Sequence, residues 1–179
     1  LPGGPGPFPA VVLVHGSGPS DRDETIGPNK PFRDLAWGFA RRGIAVLRYD
    51  KRTKLHGARM VAEKIVPTVE LETIDDAVAA VALLRQTPEV DPARVFVFGH
   101  SMGGSLAPRI ASRSEGVAGI VIAAGSTRPP GQIIADQARY LLEQAGDDDR
   151  KQASARHVLE QADRIRNLPD TDTEMILGA

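Results

Sequence analysis

Val95-Phe96-Val97-Phe98-Gly99-His100-Ser101-Met102-Gly103-Gly104 is the stretch that decides the fold of this chain. Four β-branched or aromatic residues make a short apolar run of the kind that builds a buried strand. The run ends in Gly-x-Ser-x-Gly, and a helix-capable segment, Ser105-Leu106-Ala107-Pro108-Arg109-Ile110-Ala111, follows it. Three fixed positions in five recur by chance, so the weight lies in the setting: a strand, a sharp turn, a helix. Such a turn forces strained backbone angles on the serine and brings neighbouring backbone close. Gly99 and Gly103 carry no side chain to clash there. The Ser101 oxygen would stand exposed above a sheet, beside a helix N-terminus that favours developing negative charge. The bland alternative is a glycine-rich turn with an incidental serine.

Upstream, Ala10-Val11-Val12-Leu13-Val14 is a continuous apolar run, which predicts a strand buried on both faces. It ends in the tight loop His15-Gly16-Ser17-Gly18-Pro19. Pro31 to Arg42 reads as a helix, with Phe32, Leu35, Ala36 and Phe39 at helical spacing and Gly43 as its stop. Ile44 to Leu47 is a second strand, leading into Arg48-Tyr49-Asp50. Lys51 to Pro67 is a basic connection with part-helical content, and Leu71 to Arg85 a strong helix. Asp91-Pro92 reads as a turn before the Val95–Phe98 strand, and Val117 to Ala124 as a fourth strand. Alternating strands and helices predict a mostly parallel sheet with helices on both faces.

From Pro129 the pattern changes to helices without returning strands: one through Ile133, Gln137, Tyr140 and Leu141, a second from Gly146 to about Asn167, and a third over Pro169 to Leu177. The expected organisation is therefore a core over residues 1–128 and a helical cap or lid segment over 129–179, the plain alternative being a surface helical hairpin.

Composition narrows the chemistry. The chain has 179 residues, 41% hydrophobic and 25% charged, as ordinary globular proteins do. A net charge of -1 gives no electrostatic case for nucleic acid or an anionic membrane. Having no cysteine rules out a thiol nucleophile, disulfides and thiolate metal sites. No apolar run is long enough for a membrane span, and no signal peptide is visible; the compartment stays open between cytoplasm and secretion. No metal-ligand cluster and no phosphate-cradle motif occur, so no cofactor is expected.

A tetrahedral intermediate needs two donors to hold its charge. The Met102 backbone N–H, directly after the nucleophile, is one; the Ser17 N–H in the loop after the first strand is the other, with Gly16 and Gly18 letting backbone approach closely. An activated serine also needs a base, usually histidine, and an acid to orient it, in the chain order serine, acid, histidine. His157 alone follows Ser101, in a charged helical stretch that reads as a solvated face, as do Asp147, Asp148 and Asp149. His15 and His100 read as structural and His56 as a loop residue. Arg22-Asp23-Glu24 and Asp50-Lys51-Arg52 read as loop-bracing ion pairs rather than substrate-binding charges.

Val14-His15-Gly16-Ser17-Gly18-Pro19, Arg22-Asp23-Glu24, Arg48-Tyr49-Asp50-Lys51-Arg52 and Gly99 to Gly104 together resemble the α/β-hydrolase superfamily. More narrowly, they resemble bacterial serine carboxylesterases related to prolyl-oligopeptidase-like and serine-aminopeptidase-like hydrolases. The resemblance covers residues 8 to 126 well and the tail loosely. It implies an α/β-hydrolase fold and esterase chemistry on a small-molecule ester, with Ser101 as nucleophile. Such families place the acid and histidine after two later strands. The chain reads as cut before both, with an exposed sheet edge, so a C-terminal segment or a second chain is expected to supply them. Two rivals remain from sequence: a peptidase or amidase using the same parts, and a non-catalytic binding domain on the same fold.

Overall fold

A parallel sheet is built around one strand that the sequence makes apolar at every position. The computed structural model describes residues 1–166. Strand β1 (Phe8–Val14) is flanked by β2 (Ala45–Leu47) and β3 (Val90–His100), and β4 (Val117–Ala123) lies beyond β3, giving the order β2-β1-β3-β4 with all pairs parallel. Residues Ala10 to Val14 are buried, and alternate side chains enter two separate cores. Ala10, Val12 and Val14 pack with Ala77, Val81 and Leu84 of α3 (Asp75–Arg85) and with Ala107 and Ile110 of α4 (Met102–Arg113). Val11 and Leu13 face Phe32 of α1 (Pro31–Ala40). The continuous apolar run is thus explained by helices on both faces.

The structure sharpens one sequence reading and departs from two others. The basic connection after β2 contains α2 (Arg52–Ala62), in which Met60 is the buried residue. The helix expected from Leu71 begins instead as a π-helical turn, Glu70–Ile74, before α3. The Asp91-Pro92 turn sits inside β3: β1 advances from Phe8 to Ala10 while its partner on β3 jumps from Val90 to Val95. Asp91 accepts a hydrogen bond from the Ala93 N–H at 2.9 Å, closing that local turn.

The chain moves outward from β1 to β2 on one side and from β3 to β4 on the other. The switch lies between β1 and β3, where Val14 pairs with Gly99. In open parallel sheets the carboxyl ends of the strands at such a switch are where ligands bind. β4 is the outer strand on its side, and its Ile120, Val121 and Ile122 are exposed.

Gly125 closes the first compact unit and a second begins at Ser126. In the second, α5 (Pro130–Gln144) and α6 (Asp149–Arg166) pack on each other, and Ala135, Ala138, Ala155 and Ala162 are buried. The third helix expected over Pro169 to Leu177 lies outside the described residues. No helix among the described residues is long and apolar enough to cross a membrane.

Candidate active site

Ser101 stands between the end of β3 and the start of α4 with φ 53° and ψ -117°. Positive φ in a residue with a Cβ costs on the order of 1–3 kcal/mol and persists only where the surroundings enforce it. Here they do. The Ser101 N–H donates to the Ala123 carbonyl on β4 at 2.8 Å, and the Ser105 N–H donates back to the Ser101 carbonyl at 3.0 Å. A Cβ on Gly99 would collide with the backbone of Gly103 and Gly104. A Cβ on Gly103 would lie 2.5 Å from the carbonyl oxygens of both Val14 and His15. The missing side chains therefore let α4 start against the end of β1, with its first N–H groups free of intrahelical partners.

The loop after β1 runs beside the serine. Gly16 is buried, and a Cβ there would sit 3.2 Å from the Ser101 Cβ. The Gly16 N–H donates to Glu24 Oε1 at 2.8 Å. The same oxygen accepts from His100 Nδ1 at 2.9 Å, which fixes the ring proton on Nδ1 because a carboxylate only accepts. Glu24 is 4% exposed and is itself held at φ 52°. On the other side of Gly16, Lys51 Nζ donates to the Gly16 carbonyl at 3.0 Å. Lys51 is 1% exposed. Its ammonium also meets Glu72 Oε1 at 3.2 Å, and Thr53 Oγ1 donates to that oxygen at 2.7 Å. Burial pushes the Lys51 pKa down, against the pull of Glu72 and Glu24.

Ser101 is thus a strand-end serine at positive φ, seated on a glycine-cleared turn at the switch point. The alpha/beta hydrolase family fits residues 11–174. The chain belongs to that family. Esterase EstD of Thermotoga maritima is 46% identical over 182 residues, covering 100% of this chain and 40% of its own length. The chain thus spans less than half of that curated relative. Among solved structures, an esterase of Pyrococcus furiosus matches with TM-score 0.57 at 19% identity, over 92% of this chain and 55% of the other. A 2,6-dihydroxy-pseudo-oxynicotine hydrolase matches with TM-score 0.56 at 21% identity, over 90% of this chain and 42% of the other. These two show a shared α/β-hydrolase fold.

In this hydrolase-family chain His15 and His100 make structural contacts, as read for them. His15 is buried between Phe32 and Tyr49, and its Nε2 donates to the Asp21 carbonyl at 3.0 Å. Burial holds its pKa below the ordinary value. His100 is spent on Glu24. His56 is exposed, on α2 rather than in a loop, and His157 is exposed on α6. Among the described residues, no histidine hydrogen-bonds Ser101, and no cluster of metal-ligating side chains occurs.

The charged triplets do brace loops. Arg22 pairs with Asp50 at 2.6 Å, Asp23 takes Lys30 at 2.9 Å and also Arg48, and Arg52 pairs with Asp76. Hydrogen bonds from Arg22 hold the Asp50 carboxyl below the usual range. Sequence reasoning missed that Glu24 and Lys51 depart from this pattern: both turn inward onto Gly16. A signal existed, since Lys51 follows a strand that neighbours β1, and residues just past adjacent parallel strands share one edge of the sheet. A cavity of about 410 Å³ lies elsewhere, lined by Arg85, Arg113 and Ser114 at the far ends of α3 and α4.

Proposed function

We propose that this chain carries the nucleophile and oxyanion-binding half of a serine carboxylesterase. The observation that carries the reading is Ser101, held at positive φ at the head of α4 with the Gly16 loop packed against its side chain. Ser101 Oγ attacks the ester carbonyl carbon and gives its proton to a histidine. The Ser17 and Met102 N–H groups take the charge that forms on the carbonyl oxygen. The alcohol leaves with that proton, and water then releases the acid from the acyl-serine. Ser17 is exposed, and among the described residues its N–H finds no acceptor, as an oxyanion donor awaiting substrate should.

In this reading the acid and histidine come from outside these 179 residues. The greater length of the Thermotoga maritima esterase favours a further segment of the same polypeptide over a second chain as their source. The name of that relative also favours an ester over an amide substrate. Residues 129–179 serve as the lid.

The test uses the full natural polypeptide. Ser101→Ala is expected to abolish labelling by a fluorophosphonate and to lower turnover of a short-chain 4-nitrophenyl ester by about 10⁴-fold or more. Unchanged turnover in a folded Ser101→Ala protein sinks the reading. Turnover of an aminoacyl amide as fast as the ester moves the activity to a peptidase.

A further inference from the structure

The geometry points to Lys51 as a positioning residue that aims the Ser17 N–H at the reacting carbonyl oxygen, with Glu24 as its counterpart on the same glycine. This rests on the Ser101 reading above. A peptide unit is planar and trans, so the Gly16 carbonyl and the Ser17 N–H point in opposite directions. Lys51 Nζ grips that carbonyl at 3.0 Å from the buried side of the loop. The Ser17 N–H is therefore directed away from the interior, on the exposed side, while Gly16 itself lies against Ser101.

Rotation of this one peptide would present a carbonyl where the donor should be. An anion forming on the substrate would then meet a partial negative charge. Loops containing glycine permit such a rotation because no Cβ resists it. Two further bonds oppose it here. Glu24 Oε1 holds the Gly16 N–H at 2.8 Å, fixing the preceding peptide. The Lys51 backbone N–H donates to the Ser20 carbonyl at 3.0 Å, tying the far end of the loop to the end of β2. Glu72 in turn meets the ammonium at 3.2 Å and receives Thr53. Glu24 also receives His100, the residue before the nucleophile. Both sides of the oxyanion site are thereby referred to one clamp.

The experiment compares Lys51→Met and Ser17→Pro in the full natural polypeptide, singly and together. Ser17→Pro removes the N–H itself. Lys51→Met is expected to lower kcat by about 10²-fold, the scale of one lost oxyanion donor, with KM within about threefold of the parent. Affinity for a trifluoromethyl ketone, which forms a tetrahedral adduct on the serine, is expected to fall by the same factor. In the double variant the losses do not multiply, because both act through one donor.

Lys51→Gln, too short to reach the Gly16 carbonyl, is expected to repeat the result if Lys51→Met does not fold. A folded Lys51 variant with parental kcat and inhibitor affinity, beside an impaired Ser17→Pro, overturns the clamp alone. Parental kcat in Ser17→Pro overturns the oxyanion assignment beneath it. Failure of both Lys51 variants to fold, or equal changes in kcat and KM, assigns the lysine to structure and overturns the proposal.

Discussion

The two sides of the Ser101 site are held by opposite means. The turn from β3 into α4 is shaped mainly by what is missing: Gly99 and Gly103 leave room for backbone to touch backbone, while His100 beside them reaches across to Glu24. The loop after β1 is shaped by what is added, a buried carboxylate on the N–H of Gly16 and a buried ammonium on its carbonyl. A turn made mainly by sterics is stiff, since close-packed backbone can neither compress nor reorient cheaply. A loop held by two charged side chains is only as fixed as those side chains. The first arrangement tolerates no added atom; the second tolerates small additions but no lost partner.

Gly103→Ala is the sharpest way to break that contrast. Its Cβ would press on the carbonyl oxygens of Val14, the last residue of the central buried strand, and of His15, the buried residue after it. We expect a loss of about 3 kcal/mol or more of stability, beyond the usual range for overpacking, and loss of fluorophosphonate labelling, read by urea unfolding and intact mass. A variant as stable and reactive as the parent would mean that the turn is softer than its packing implies. Gly16→Ala is expected to do less. Its Cβ meets the Ser101 Cβ at 3.2 Å, a gap that a shift of a few tenths of an ångström relieves. Stability should change by less than about 1 kcal/mol, because lost backbone freedom in the unfolded chain offsets the crowding. The displaced loop should lower kcat by about tenfold while labelling survives, misplacements of this kind being costly to rate rather than to fold. Equal damage from the two alanines would erase the difference between the two sides.

The same contrast explains what could be read from sequence. The Ser101 turn is written in consecutive residues, Gly99 to Gly104, so its strand, its glycines and the strain on its serine were all visible before the structure. β1 was visible too, because burial on both faces makes an unbroken apolar run. The clamp on Gly16 was not. Its parts, Glu24, Lys51 and Glu72, come from three segments that only the sheet order brings together. In sequence Glu24 and Lys51 look like any other members of charged triplets, most of which do form braces at the loop surface, and Glu72 looks like an ordinary charged position on a helix. α2 was legible as part-helical content in a basic connection but not in its bounds, because a helix with one buried residue, Met60, leaves little apolar periodicity to detect. The interruption within β3 was legible as a turn, from Asp91-Pro92, but not as a turn inside a strand whose pairing resumes on both sides of it.

His15 offers the mildest test, and it probes the loop side alone. Its ring is 1% exposed between Phe32 and Tyr49, with Nε2 on the Asp21 carbonyl and Nδ1 buried without a partner. Burial lowers its pKa from 6.5, with Glu24 pulling the other way. Below that value the unfolded chain binds a proton that the folded chain refuses, so stability must fall as pH drops. The slope approaches about 1.4 kcal/mol per pH unit until the folded pKa is reached. The lowered carboxyl pKa values of Asp21, Asp23 and Asp50 act in a different window, since their contributions are lost only as pH falls below 3.8. Between pH 6.5 and 5 the histidine effect is therefore separable. Urea midpoints measured at pH 7.5, 6.5 and 5.5 should decline in the parent and decline less in His15→Gln, whose amide can still donate to the Asp21 carbonyl. An identical acid slope in the two proteins would mean that His15 takes up its proton in place, and that the loop beside Ser101 is looser on its inner side than its burial implies.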